Sequence, residues 1–238
     1  MEKAAFIDNT SYNLSEGETI LAFVRRHKGV DIIPTLCQAD NLENYGSCRI
    51  CSVEVSMKEN GPSKVMASCH TPVAEGMYIY PSGERIKKLR KNILELVLTE
   101  YPADKTKAVT GRRAPEFQKV LSSVGIPEVR YPSPMNSSAT VEDKSHPYIW
   151  SDFSECIKCY RCVRACDELQ SEHVLGVMGR GIESRIIKGY NESFIDSPCV
   201  SCGACVQTCP TNALTDRYGT KTVLADKVVR TVCTYCGV

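Results

Sequence analysis

The sequence has no stretch of about 18 consecutive apolar residues, so we expect no membrane-spanning helix. Its N-terminus has neither a basic stretch followed by an apolar one nor a twin arginine, which predicts a cytoplasmic protein. The formal net charge of this 238-residue chain is only +1, with both signs interspersed. A nucleic-acid-binding surface is therefore not indicated. No catalytic triad, phosphate-binding loop or dinucleotide-binding fingerprint occurs, so we expect no bond-making chemistry from this chain itself.

One local group of basic residues stands out against this mixed background. We interpret it as the solvent-exposed face of a helix, in preference to a docking patch. Its members are Arg85, Lys87, Lys88, Arg90 and Lys91.

Histidine is scarce and cysteine is abundant. There are four histidines and 14 cysteines, and no histidine stands at zinc-finger spacing from a cysteine pair. A cytoplasmic protein keeps its thiols reduced, so these cysteines are predicted to bind a metal instead of forming disulfides. Sites made only of thiolates select soft metals, namely zinc or the iron of iron–sulfur clusters.

Eight of the cysteines repeat one pattern twice. The first copy is Cys156-x2-Cys159-x2-Cys162-x3-Cys166 and the second is Cys199-x2-Cys202-x2-Cys205-x3-Cys209, followed by Pro210. This is the bacterial ferredoxin run, in which the fourth cysteine ligates the other cluster. We therefore predict one [4Fe–4S] cluster on Cys156, Cys159, Cys162 and Cys209, and a second on Cys199, Cys202, Cys205 and Cys166. Two four-cysteine zinc sites are the alternative, but zinc does not require this spacing.

Small residues lie among the ligands of the second copy. They are Ser201, Gly203 and Ala204, and they allow backbone N–H groups to approach the sulfurs. Asp167 stands where the second copy has its proline. This departure is mild, because the proline ligates nothing.

The first cysteine group is compatible with a [2Fe–2S] cluster. It reads Cys37-x10-Cys48-x2-Cys51-x17-Cys69. The plant-type pattern has four residues between its first two cysteines, so ten is a departure, and a zinc site stays open as an alternative. His70 beside Cys69 is interpreted as a surface or supporting residue, because four cysteines already complete a site.

The last two cysteines, Cys233 and Cys236, form half a site. Two thiolates cannot complete a four-iron cluster. We expect either a vestige, or a share in a further [4Fe–4S] cluster whose other ligands come from another chain or from a continuation of this one.

Hydrophobic periodicity predicts the elements between these groups. Strands are expected at Ala4–Ile7, from Asn13, at Val53–Met57, at Lys64–Met66 and at Met77–Tyr80, with helices at Glu18–His27, Glu84–Thr99 and Pro115–Ser123. Met135–Ser145 is predicted to be an exposed linker. The expected domains are 1–80, a connector at 81–149, a ferredoxin-like unit at 150–217 and a tail at 218–238.

Several motifs resemble one iron–sulfur family. They are Pro34–Cys37, Tyr45–Cys51, Thr71–Val73, His146–Tyr148 and Gly179–Gly181, together with both ferredoxin runs. The family comprises the large iron–sulfur subunit of respiratory complex I, the diaphorase iron–sulfur subunit of NAD-reducing hydrogenases, and NAD-dependent molybdenum or tungsten formate dehydrogenases. In that family the ten-residue gap is usual, so the resemblance implies a [2Fe–2S] cluster on Cys37, Cys48, Cys51 and Cys69. The tail Val232–Val238 is similar to the opening of a molybdopterin-enzyme domain, as in formate dehydrogenase alpha subunits.

The resemblance implies an α+β chain made of three parts: a β-grasp [2Fe–2S] ferredoxin domain, a helical connector and a bacterial-type 2[4Fe–4S] ferredoxin domain. It also shows one departure. The family binds a further [4Fe–4S] cluster with one histidine and three cysteines after the long helix. Here the corresponding stretch, Glu100–Lys105, has neither residue type, so we expect that cluster to be absent. We also expect no pterin active site in this chain.

The expected function is electron transfer between two partners. One would be a catalytic subunit of the formate dehydrogenase or hydrogenase type, and the other a flavoprotein that handles NAD(P). An alternative is the N-terminal half of a molybdopterin formate dehydrogenase whose catalytic half is a separate chain. A zinc-binding structural or nucleic-acid module is a third class, and the near-neutral charge disfavours it.

Overall fold

The protein is described by a computed structural model that covers residues 3–103, 115–125, 128–132, 142–219, 229 and 232. Cys233 and Cys236 lie outside the described residues, and so does most of the connector between 104 and 141. No helix in the described ranges is both long enough and apolar enough to cross a bilayer.

The N-terminal unit is a five-stranded sheet covered by one helix. The elements are β1 (Ala4–Ile7), β2 (Thr10–Asn13), α1 (Ile20–Lys28), β3 (Ser52–Ser56), β4 (Lys64–Ala67) and β5 (Tyr78–Tyr80). The strand order is β2-β1-β5-β3-β4, with β1 parallel to β5 and the other pairs antiparallel. Alternating Ala5 and Ile7 point into the core and meet Phe23 and Val24 of α1.

Local chemistry explains the limits of these elements. Thr19 caps α1 by accepting a hydrogen bond from the Ala22 amide at 3.2 Å, and Gly29 ends the helix with a φ of 96°. The prediction that β2 would begin at Asn13 is wrong, because β2 ends there. A tight turn at Asp8 and Asn9, both with positive φ, starts the strand earlier than the sequence pattern suggested.

The connector begins with α2 (Glu84–Leu98) and continues in α3 (Glu116–Val124). One prediction for α2 is wrong, because Arg90 is not on the solvent face. Its side chain is buried, and it donates from Nε to the Ile50 carbonyl (3.2 Å) and from Nη2 to the Ser52 carbonyl (3.1 Å). Two hydrogen bonds to backbone carbonyls satisfy the buried guanidinium, which explains how a cation is accommodated there. Lys87 and Lys88 are exposed, as predicted.

The C-terminal unit contains two small sheets and two short helices. Strands β6 (Glu142–Asp143), β7 (Ile149–Asp152) and β10 (Leu214–Asp216) form one sheet, and β8 (Leu175–Met178) pairs with β9 (Arg185–Lys188). Helix α4 (Arg161–Arg164) continues into a π-helical turn (Ala165–Leu169), and α5 is Ala204–Thr208. Residues 142–145, predicted to be linker, are part of this unit. Asp143 is buried and pairs with Lys188 at 2.5 Å.

Candidate metal centres

The four N-terminal cysteines converge at one end of the sheet. Cys37 and Cys48 lie on the long loop between α1 and β3, Cys51 directly precedes β3, and Cys69 follows β4. The Cys48 amide donates to Cys37 Sγ at 3.5 Å, and the Sγ atoms of Cys51 and Cys69 are 3.4 Å apart. Cys48 is half-buried and the other three are buried. The loop and two strands therefore bring all four predicted ligands together.

Hydrogen bonds between thiols divide this quartet into two pairs, Cys37 with Cys48 and Cys51 with Cys69. A hydrogen bond from Cys48 lowers the pKa of Cys37, and one from Cys69 lowers the pKa of Cys51. The pKa of each donor thiol shifts the other way. The hydrogen bond to Cys37 raises the pKa of Cys48, and the hydrogen bond to Cys51 raises the pKa of Cys69. Four adjacent thiols cannot all ionise unless a cation compensates them. The donor set thus fits a cationic two-iron cluster, whose metal would deprotonate every ligand.

Backbone amides also face this quartet. The amides of Cys48 and Ser47 donate to Cys37, and the amide of Ile50 donates to Cys48. The turn that directs them uses positive φ at Gly46 (71°) and Arg49 (61°). A left-handed backbone conformation is unfavourable for an arginine. Its presence here indicates that the loop conformation is held in order to direct its amides at the thiols.

The first ferredoxin quartet surrounds a small cavity. All four predicted ligands line it, and most other lining side chains are apolar. The thiol-bearing residues are Cys156, Cys159, Cys162 and Cys209. Burial raises the pKa of Cys156 to about 11 and that of Cys159 to about 12, and Cys209 adds to both shifts. Cys209 is therefore close to the first run although it belongs to the second, as crossed ligation requires.

The second ferredoxin quartet is closer to solvent. Burial raises the pKa of Cys205 to about 12, and the charges of Cys199, Cys202 and Cys166 raise it further. Cys166 of the first run therefore lies with three cysteines of the second. Cys202 is exposed and Cys199 half-buried, whereas Cys166 and Cys205 are buried. The two quartets also adjoin each other, because Cys205 contributes to the raised pKa of Cys162.

The two cysteine runs share one backbone conformation. The residue two positions after the first cysteine has a left-handed φ in both runs, 52° at Lys158 and 60° at Ser201. Each donates its amide back to that cysteine, at 3.4 Å in the first run and 3.5 Å in the second. The residue four positions after it, Tyr160 or Gly203, is left-handed as well and caps the following helix. The two copies of the cysteine pattern therefore share the same amide-to-sulfur hydrogen bond.

Two arginines that the sequence pattern did not single out join the N-terminal loop to the first ferredoxin run. Arg164 donates from Nη1 to the Cys37 carbonyl at 3.0 Å and from Nη2 to the Glu43 carbonyl. Arg161 donates from Nη2 to the Gln38 carbonyl. Both side chains are buried. The signal that could have revealed them is the presence of two arginines inside a run that otherwise carries the metal ligands.

The described residues just after α2, where the resemblance would place the family's additional cluster, make other contacts. Glu100 pairs with Lys158 at 2.5 Å, and the Tyr101 hydroxyl lies 3.2 Å from Glu155 Oε2. Tyr101 also packs against Phe117 of α3, with ring centroids 5.0 Å apart. An apolar cluster that includes Leu94 surrounds them. Nothing in this described part of the connector supplies a thiol or an imidazole.

Other residues near the cysteines make packing and hydrogen-bonding contacts. His70 is exposed, in agreement with its interpretation as a surface residue. Tyr45 and Tyr160 pack edge to face, with ring centroids 6.4 Å apart, and Arg164 lies over Tyr45. His146 is buried near the second run, and its Nε2 is 3.1 Å from the Ser201 hydroxyl.

Family models match both units of the chain. The 2Fe-2S iron-sulfur cluster binding domain matches residues 4–82, and the ferredoxin-like domain of NADH-quinone oxidoreductase subunit 3 matches residues 146–215. Both are iron–sulfur families, so the chain carries iron–sulfur domains and the zinc alternative loses its support.

Curated relatives extend this similarity along the chain. An NADH-quinone oxidoreductase subunit from Rhizobium meliloti (strain 1021) is 31% identical over 97% of this chain and 26% of its own length. NADP-reducing hydrogenase subunit HndD of Solidesulfovibrio fructosivorans is 32% identical over 88% of this chain and 35% of its own length. The chain thus spans between a quarter and about a third of these relatives.

A solved structure has the same fold over almost the whole chain. It is that of an NAD+-reducing [NiFe]-hydrogenase in the H2-reduced state, at 25% identity with a TM-score of 0.76, and the match covers 94% of this chain and 91% of that one. This chain therefore belongs to the iron–sulfur family that combines these two domains, and it is similar to subunits of NADH-quinone oxidoreductases and of NAD(P)-reducing hydrogenases.

Proposed function

We propose that this chain relays electrons between a catalytic subunit and an NAD(P)-handling flavoprotein, using one [2Fe–2S] and two [4Fe–4S] clusters. When bound, such clusters supply one-electron transfer at low potential. The single observation that carries the proposal is the series of three thiol quartets. The N-terminal quartet adjoins the first ferredoxin quartet through Arg161 and Arg164, and that quartet adjoins the second.

The chain's own residues have three tasks in this proposal. The cysteine quartets bind the clusters, with Cys209 and Cys166 exchanged between the two ferredoxin runs. Backbone amides aimed at sulfur stabilise the negative charge on the ligands. The buried surroundings of Cys37, Cys51 and Cys69 keep water away, whereas the exposed Cys202 provides an end of the series that a partner can reach.

The relatives favour hydrogenase-type or quinone-reductase-type partners. Their names give NADP-reducing hydrogenase and NADH-quinone oxidoreductase activity to much longer proteins, and the solved structure is an NAD+-reducing hydrogenase. A catalytic subunit of the formate dehydrogenase type, and a cytoplasmic location, stay predictions from the sequence.

The test is metal analysis and EPR of protein purified without oxygen. The proposal expects about ten iron atoms and about ten sulfides per chain, with one [2Fe–2S] and two interacting [4Fe–4S] signals after dithionite reduction. About fourteen iron atoms would indicate another four-iron cluster involving Cys233 and Cys236, as the split formate dehydrogenase alternative requires. Zinc in place of iron would refute the electron-transfer function.

A further inference from the structure

Arg161 is a buried cation between two groups of predicted cluster ligands. It is 2% exposed and stands between Cys159 and Cys162 in the sequence. Its Nη2 also donates to the carbonyl of Gln38, the residue after Cys37. The guanidinium therefore connects a loop of the first ferredoxin quartet to a loop of the N-terminal quartet.

A buried charge at this point acts on both quartets, because the protein interior screens it much less than water does. Cys37 is one residue from Gln38, whose carbonyl accepts from Arg161, and Cys162 directly follows Arg161 in the chain. One positive charge would thus stabilise negative charge in both places.

Glu116 neutralises this cation only in part. Its two carboxylate oxygens accept from Arg161 at 2.6 Å and 2.9 Å in a two-pronged pair. The carboxylate side chain is 43% exposed, whereas the arginine side chain is 3% exposed. Water screens an exposed charge much more than a buried one. The field that remains in the interior is therefore positive.

We propose that the Arg161–Glu116 pair jointly sets the reduction potentials of the [2Fe–2S] cluster and the adjacent first [4Fe–4S] cluster. Arg161 would stabilise the negative charge that one-electron reduction by dithionite adds to a bound cluster, without any proton transfer. The carboxylate of Glu116 moderates the effect. This inference rests on the proposed electron-transfer function and adds two residues that are not cluster ligands.

The experiment is an EPR-monitored redox titration of the full chain with dithionite as reductant. Arg161→Gln is expected to lower the equilibrium constant for reduction of both nearby clusters about tenfold, which is about 59 mV for a one-electron couple. Glu116→Gln should raise the reduction potentials of both nearby clusters, because it leaves the positive charge of the buried arginine uncompensated. Arg161→Lys, which keeps the charge, should stay within about threefold of the wild type.

The second [4Fe–4S] cluster, on Cys199, Cys202, Cys205 and Cys166, is the internal reference and should shift less than the other two. An unchanged potential in Glu116→Gln, or equal shifts at all three clusters, overturns the inference. Because Glu116 is half exposed, its variant tests the role of the pair even if Arg161→Gln does not fold. Wild-type protein without iron would refute the electron-transfer function itself, whereas a full iron content with unmoved potentials would refute only the role of this pair.

Discussion

Removal of Arg164 should release the N-terminal cluster loop from the ferredoxin unit. The side chain is buried and donates to two carbonyls of that loop, Cys37 O at 3.0 Å and Glu43 O. Its Nε is held by Glu168 at 2.8 Å, and Glu168 in turn accepts from the Glu43 amide at 2.9 Å. A single guanidinium thus organises one end of the contact between the two units.

The magnitude follows from the bonds that are lost. A hydrogen bond to a charged group contributes about 1.5–3 kcal/mol, so Arg164→Met should cost about 3–6 kcal/mol of the free energy that holds the loop in place. A loss of about 3 kcal/mol corresponds to a change of roughly a hundredfold in the opening equilibrium. The loss in Arg164→Lys should lie between that of the wild type and that of Arg164→Met, because an ammonium cannot reach both carbonyls in the same planar arrangement.

Amide hydrogen exchange on the cluster-loaded protein measures this opening directly. Residues 38–50 should exchange roughly a hundredfold faster in Arg164→Met, while strand β2 keeps its wild-type rate. Arg85→Met is the matched control, because that side chain is 62% exposed and its contact with Glu54 is 3.5 Å long. If the loop exchanges at the same rate in Arg164→Met and Arg85→Met, the loop does not depend on Arg164 and the reasoning is refuted.

Three further predictions concern ligation and stability. Cys209→Ala should remove the EPR signal of the first ferredoxin cluster and Cys166→Ala that of the second; the reverse assignment would contradict crossed ligation. Arg90→Met removes two hydrogen bonds from a buried guanidinium to backbone carbonyls and should cost about 3–6 kcal/mol of unfolding free energy, measured by anaerobic urea denaturation; a loss no larger than that of an exposed-arginine variant would contradict its buried role. Lys188→Met should cost about 3–5 kcal/mol of unfolding free energy, because it leaves the buried carboxylate of Asp143 without its cation. Adding Asp143→Leu should recover part of that loss; no recovery would show that the pair is not coupled.

The sequence predicted the elements that have a clear hydrophobic period. Helices α1 and α2 and strand β1 lie where periodicity placed them, because their buried faces recur at regular spacing. The start of β2 was missed because its turn uses Asp8 and Asn9 in left-handed conformations, without the glycine that usually marks such a turn. Asp and Asn tolerate that conformation better than most residues, but they mark a turn less clearly than glycine does.

The roles of the buried arginines could not be predicted for a different reason. Arg90 belongs to a basic run whose other members face solvent, and its carbonyl partners lie about 40 residues away in the chain. The carbonyl partners of Arg164 are more than 120 residues away. A charged residue reveals such a role only when the tertiary fold brings an unpaired carbonyl to it. The cysteines were predictable because their own spacing carries the chemistry.

The shared backbone turns of the two cysteine runs leave their side chains free to diverge. Because the amides contact sulfur, positions 158 and 160 in the first run and 201 and 203 in the second can carry any side chain that tolerates a left-handed backbone. The first run uses this freedom to reach other parts of the protein, through Lys158 to Glu100 and through Tyr160 to Ser184. The second run keeps small residues and stays near solvent. One loop conformation thus serves a half that contacts the rest of the protein and a half that stays near solvent, while the amides that face sulfur are the same in both.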